Sequence, residues 1–283
     1  MLNGSFSLYL LFFSCLYEFM NFTDKTLWIT GASSGIGKAV ALELSTKNCH
    51  LILSGRKEQE LIDVAASCKK NGSTAWVVPF DLADEKSINQ AATLVLEKVT
   101  KIDGLYHFGG ISQRSFANET PLSVDRKIFE VNFFGTIGLT KKVLPLMIKN
   151  EGGQIGVTTS IVGKFGFPYR SSYSATKQAL HGFFESLRSE NVSHGIKISM
   201  IIPGRVKTNI SVNALDKEGN AYNEMDQGQN KGKSVTKTAK IIVSKLQIEK
   251  KEILVGGSEV VMVHVRRFFP RLYYYLSSRV KPL

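Results

Sequence analysis

The chain has 283 residues, of which 43% are hydrophobic and 21% charged. This is long enough for one large α/β domain or two small ones, and too mixed for a disordered or collagen-like chain. The formal net charge of +12 suits an anionic membrane surface or a polyanionic cofactor. The basic residues are spread along the chain without a stripe interleaved with aromatics, so no nucleic-acid module is expected. The three cysteines, Cys15, Cys49 and Cys68, show neither CxxC pairing nor zinc spacing. A reducing compartment and no metal site follow as expectations.

In chain order, residues 6–17 are mostly apolar but short of the roughly 20 residues that a membrane span needs. They lack a positively charged leader and a small-residue cleavage site. Residues 1–19 therefore read as an apolar extension: an anchor, an added packed segment, or sequence upstream of a start at Met20. From Lys25 onward, short β-rich runs alternate with helical patterns. Strands are expected at 26–30, 50–54, 75–79, 104–108, 154–159, 197–202 and 252–255, most of them apolar on both alternations. That is the pattern of a parallel sheet covered on both faces. Helical patterns fall at 38–47, 58–70, 86–101, 124–150 and 174–193. The expected fold is a single-domain, Rossmann-like, doubly wound parallel sheet of about seven strands with helices on both faces. The catalytic domain would run over 20–258. Within it, the polar, glycine-containing stretch 211–233 reads as a substrate lid. Residues 259–283 read as a basic, aromatic C-terminal helix.

Thr30-Gly31-Ala32-Ser33-Ser34-Gly35-Ile36-Gly37 stands where the first strand turns into the first helix. Glycine there permits a tight turn and close approach of backbone to a pyrophosphate, which the helix N-terminus then stabilises. At the tip of the second strand, Ser54-Gly55-Arg56-Lys57 offers no acid for a ribose 2′-hydroxyl. Arg56 can instead make a planar two-pronged contact to a 2′-phosphate, so NADP(H) is read over NAD(H). Tyr173 and Lys177 stand four residues apart, about one helical turn, and project from one face. An ammonium close to a phenol draws its pKa down toward the range useful for proton transfer. Ser160 could hydrogen-bond the oxygen of a carbonyl or alcohol.

Gly31-x3-Gly35-x-Gly37, Asp81-Leu82, Asn132, Ser160, Tyr173-x3-Lys177 and Pro203-Gly204 occur in order along this pattern. The chain thereby resembles the short-chain dehydrogenase/reductase family from about Lys25 to Val255. The resemblance implies Tyr173 as general acid/base, with Lys177 lowering its pKa and binding the nicotinamide ribose. Ser160 would polarise the substrate oxygen, and Asn132 would hold a water of the proton relay. Gly31, Ser33, Ser34, Gly35, Ile36, Gly37, Arg56, Asp81, Leu82, Gly109, Lys177, Pro203, Gly204, Val206 and Thr208 would bind the cofactor. Asp81 would lie at the adenine and Thr208 near the carboxamide or pyrophosphate. The family's usual Asn-Asn-Ala-Gly is replaced here by His107-Phe108-Gly109-Gly110, which makes His107 structural rather than catalytic. A homodimer or homotetramer is implied as well.

Phe165, Phe167 and Tyr169, between Ser160 and Tyr173, would line the substrate side. An apolar pocket with few polar anchors suits a hydrophobic carbonyl or alcohol. Gly163-Lys164-Phe165 and the run from Ala179 to Arg188 resemble the steroid-, retinoid- and lipid-handling branch of the family. A 3-oxoacyl or small-carbonyl reductase and a non-catalytic, NADP-binding membrane-surface scaffold are the alternatives. The C-terminal run holds Arg266, Arg267, Phe268, Phe269, Arg271, Tyr273, Tyr274, Tyr275 and Arg279 without an acid. It fits peripheral contact with an anionic membrane or, equally, a docked terminal helix. A cytoplasmic location with such peripheral association is the expectation.

Overall fold

A computed structural model describes residues 20–279. The apolar extension at 1–19 and residues 280–283 lie outside the described residues. The elements alternate as expected: β1 (Thr26–Thr30), α1 (Gly35–Ser45), β2 (His50–Ser54), α2 (Glu58–Lys70), β3 (Thr74–Val77), α3 (Glu85–Leu96) and β4 (Gly104–His107). The second half continues with α4 (Leu122–Phe129), α5 (Gly135–Lys149), β5 (Gly153–Thr158), α6 (Ser171–Glu190), β6 (Ile196–Pro203), α7 (Val235–Gln247) and β7 (Glu252–Val255). The chain closes on α8 (Val261–Phe268) and α9 (Pro270–Ser277).

The strands form one seven-stranded sheet in the order β3-β2-β1-β4-β5-β6-β7, every neighbouring pair parallel. Alternation along the strands builds two cores. Leu27 and Ile29 of β1 and Leu51 and Leu53 of β2 face α1, α2 and α7, while Trp28 and Ile52 face the layer of α3, α5 and α6. Each such fully buried side chain contributes about 1.5–3 kcal/mol. Trp28 keeps its indole N–H satisfied by donating to Ser54 Oγ at 2.9 Å. The order reverses direction between β1 and β4, and the register there places Thr30 level with both Ser54 and His107. The loops after β1, β2 and β4 therefore leave the sheet side by side, which is where an open α/β sheet forms its ligand crevice.

Four details depart from the sequence-based expectation. Helix α1 starts at Gly35, inside the glycine-rich turn. Helix α7 carries no expected pattern, because Lys237, Lys240 and Lys245 are interspersed with its buried Thr238, Ala239, Ile242, Val243 and Leu246. The helix expected over 124–150 is interrupted by a π-helical turn at Glu130–Phe134, the segment that holds Asn132. The C-terminal stretch is two helices rather than one. The break falls at Phe269, and Pro270 opens the second helix, where its missing N–H costs nothing. Stretch 211–233 is an ordered excursion docked on the loop after β4. Arg114 N–H donates to the Leu215 carbonyl at 2.7 Å and Leu215 N–H to the Ser112 carbonyl at 2.9 Å.

Candidate active site

The glycine-rich turn has the shape a pyrophosphate needs. Gly31 has φ +66°, and a Cβ there would lie 2.5 Å from Gly109 N, so two backbones touch where a side chain would separate them. Ser34 caps α1, yet among the described residues its side chain makes no capping hydrogen bond, and the first turn of α1 has no acid. Those N–H groups thus remain for an anion. Across the crevice Thr208 faces Gly35, a Cβ on which would be 3.5 Å from Thr208 Cγ2. Leu82 packs against Gly109, and Asp81 holds its own turn by accepting from Ala83 N–H at 2.9 Å. Pro203 and Val206 are buried, with Gly204 half-buried between them. Arg56 is exposed at the end of β2, whereas its neighbour Lys57 pairs with Glu60 at 2.7 Å. Ser33 and Ile36 lie in the same turn as Gly31. These residues fit a nicotinamide dinucleotide.

Asn132, Ser160, Tyr173 and Lys177 come from three neighbouring pieces of chain: the π-helical turn, the segment after β5 and helix α6. Asn132 is fully buried, accepts from Ile111 N–H at 2.8 Å and donates to the Ile111 carbonyl at 2.9 Å and Thr176 Oγ1 at 3.2 Å. Lys177 donates to the Thr158 carbonyl at 2.9 Å, and its ammonium stands 5.7 Å from the centroid of the Tyr173 ring. A Cβ at Gly110 would be 3.0 Å from Asn132 Oδ1 and 3.5 Å from Lys177 Nζ, so glycine leaves these two groups facing one opening. Ser160 follows β5 and accepts from Val162 N–H at 3.4 Å.

Burial sets the ionisation here. It pushes the Tyr173 phenol up, opposed by the nearby Ser160 hydroxyl and by the positive charges of Arg114 and Arg170. Burial alone lowers the Lys177 ammonium to about 8. His107 is pushed down to about 3, first by burial and then by Lys177, and its Nε2 shares a proton with Thr140 Oγ1 at 3.0 Å. The imidazole is thus held neutral and hydrogen-bonded at Nε2, while among the described residues its buried Nδ1 has no partner.

Of the expected substrate residues, Phe165 is buried in a cluster with Val162, Tyr173 and Tyr273 of α9. Phe167 and Tyr169 line a narrow recess with Arg114, Pro168, Arg170, Tyr222 and Asp226. Three residues that the motifs did not mark hold this region. Gln113 accepts at the start of α6 from Ser172 N–H at 2.9 Å and Tyr173 N–H at 3.4 Å. Arg114 grips Asp226 with two N–H groups, at 3.2 and 2.5 Å, and Asp226 also accepts from Arg170 at 2.7 Å. Asp226 lies 112 residues after Arg114, so no local spacing could reveal the pair.

Residues 25–219 match the family model described as short chain dehydrogenase. The chain belongs to the short-chain dehydrogenase/reductase family. It is an oxidoreductase of that family by this match and by its relatives. One is "Dehydrogenase/reductase SDR family member 7B" of Xenopus laevis, 37% identical over 261 residues, covering 89% of this chain and 81% of the relative. A family structure from Burkholderia phymatum in complex with NAD superposes with a TM-score of 0.79 over 93% of this chain and 99% of that one, at 21% identity. Another, described as a putative NAD(P)-dependent gluconate 5-dehydrogenase from Beutenbergia cavernae with bound NADP, gives a TM-score of 0.65 at 28% identity, covering 68% and 78%.

Proposed function

We propose that the chain is an NADP(H)-dependent oxidoreductase that interconverts a carbonyl and an alcohol on a hydrophobic substrate. The observation that carries this reading is the buried Tyr173 phenol, with the Lys177 ammonium 5.7 Å from its ring centroid on the same helix. Bound NADP(H) would supply or accept the hydride. In reduction Tyr173 gives its proton to the carbonyl oxygen, and in oxidation it takes the hydroxyl proton. Ser160 holds that oxygen by a hydrogen bond. Lys177 fixes the ribose and, with Asn132, lines the path by which the proton reaches water. The exposed Arg56, beside a Lys57 already paired, supports preference for a 2′-phosphate.

Phe167, Pro168, Tyr169 and Tyr222 give the recess apolar walls, in keeping with a lipid-like substrate. Stretch 211–233 would act as the lid, held by Asp226 on Arg114 and Arg170. The C-terminal helices would rest on an anionic membrane surface. Phe268, Phe269, Leu272, Tyr275 and Leu276 are exposed there beside Arg267, Arg271 and Arg279, while Tyr273 is buried. Among the described residues no helix is long and apolar enough to cross a membrane. A homodimer or homotetramer is part of the proposal. A screen of lipid ketones and alcohols, following nicotinamide absorbance with both cofactors, tests the reading. Turnover of an apolar ketone with NADPH supports it, and turnover confined to small polar carbonyls or to NADH contradicts it.

A further inference from the structure

The recess beside Tyr173 has an unbalanced charge. Arg114 and Arg170 share one buried carboxylate, that of Asp226. Arg114 uses four of its five N–H donors: Nε and Nη2 donate to Asp226, and Nη1 donates to Ser112 Oγ at 2.9 Å and the Gln113 carbonyl at 2.6 Å. Arg170 does not. Among the described residues its side chain makes one hydrogen bond, from Nη2 to Asp226 Oδ2, and its guanidinium lies 5.0 Å from the Phe167 ring centroid. The other acids nearby do not neutralise it. Asp125 accepts from Ser172 Oγ, and Glu224 is exposed beside Tyr222, where water screens it.

A half-buried cation with unused donors favours an anion. Burial and the neighbouring Arg114 charge hold Arg170 down to about 10, which is the same imbalance seen from the proton. Arg170 is the capping residue just before the helix that carries Tyr173, three positions before it. The rest of the recess is apolar, through Phe167, Pro168, Tyr169 and Tyr222.

We propose that Arg170 is a substrate-binding residue that takes the carboxylate of an acidic substrate, one with an apolar body lying along Phe167, Pro168, Tyr169 and Tyr222. A carboxylate is the group that the pair already accepts from Asp226, and it matches the planar guanidinium fork. The proposal rests on the recess being the substrate side of the site, and it narrows the substrate class from hydrophobic carbonyl compounds to hydrophobic oxo or hydroxy acids.

Calorimetric titration of the full chain with decanoate and with 1-decanol, without cofactor, tests this apart from turnover. A charge-assisted contact of about 1.5–3 kcal/mol makes decanoate bind about ten- to a hundredfold more tightly. Arg170→Gln should remove that preference, and Arg170→Lys should restore part of it, with circular dichroism confirming that both variants fold. Equal affinity of the wild type for the two ligands, no binding of either, or a preference that survives Arg170→Gln overturns the assignment. Because no hydride transfer is read, a failure here is distinct from a failure to reduce apolar ketones.

Discussion

Asn132 grips both polar groups of the Ile111 backbone: Oδ1 accepts from its N–H at 2.8 Å and Nδ2 donates to its carbonyl at 2.9 Å. The residue thereby ties the π-helical turn to the loop that leaves β4. Asn132→Ala would leave that N–H and carbonyl without partners in a buried place, at a cost of about 2–4 kcal/mol. Chemical denaturation should show the loss even without cofactor. Stability unchanged in Asn132→Ala, with only activity lost, would restrict the residue to proton relay.

Gln113 is a second strut. Its carbonyl oxygen accepts from Ser172 and Tyr173 N–H, at the start of the helix that presents the phenol. Gln113→Ala should destabilise the protein by about 1 kcal/mol, as lost helix caps do. It should also lower kcat about tenfold through misplacement of Tyr173. Gln113→Glu keeps the acceptor and should recover part of kcat. Steady-state kinetics on the two variants checks the order.

Arg56 bears on the choice of cofactor. Loss of a charge-assisted, two-pronged phosphate contact should weaken NADPH about ten- to a hundredfold in Arg56→Ala, with NADH nearly unaffected. Fluorescence titration of both cofactors gives the comparison. Equal losses for the two would contradict an NADP-selecting role.

The pH profile follows from the charges around Tyr173. Burial raises its pKa, while the Ser160 hydroxyl, Arg114 and Arg170 lower it. Removing the Arg170 cation removes a lowering influence, so the phenol pKa rises further. Phenolate then forms only at higher pH, and the ascending limb of alcohol oxidation should move to higher pH in Arg170→Gln. The descending limb of carbonyl reduction should move the same way. A limb that moves to lower pH contradicts the account.

Much of the scaffold was legible because its signals are local. β1, β2, α2 and β7 fall at the expected residues, since each is an apolar run or a periodic stretch bounded by turn residues. Tyr173 with Lys177 and the Gly31–Gly37 turn were legible for the same reason: helical spacing and turn chemistry act within a few residues. The start of α1 was not, because Gly37 reads as a turn residue although it already lies in the helix. The arginine cluster was not legible either. Arg114 and Asp226 meet only through the docking of stretch 211–233 on the loop after β4, a long-range event. The two guanidinium charges that act on Tyr173 were therefore not legible in the sequence.

The central claim is that Tyr173 moves the proton. Turnover and cofactor affinity measured on Tyr173→Phe test it most directly, since the substitution removes one hydroxyl and keeps the ring packed with Val162, Phe165 and Tyr273. The account predicts a loss of about 10²–10⁴-fold in kcat, with NADPH affinity nearly unchanged. Turnover close to wild type in Tyr173→Phe would contradict it.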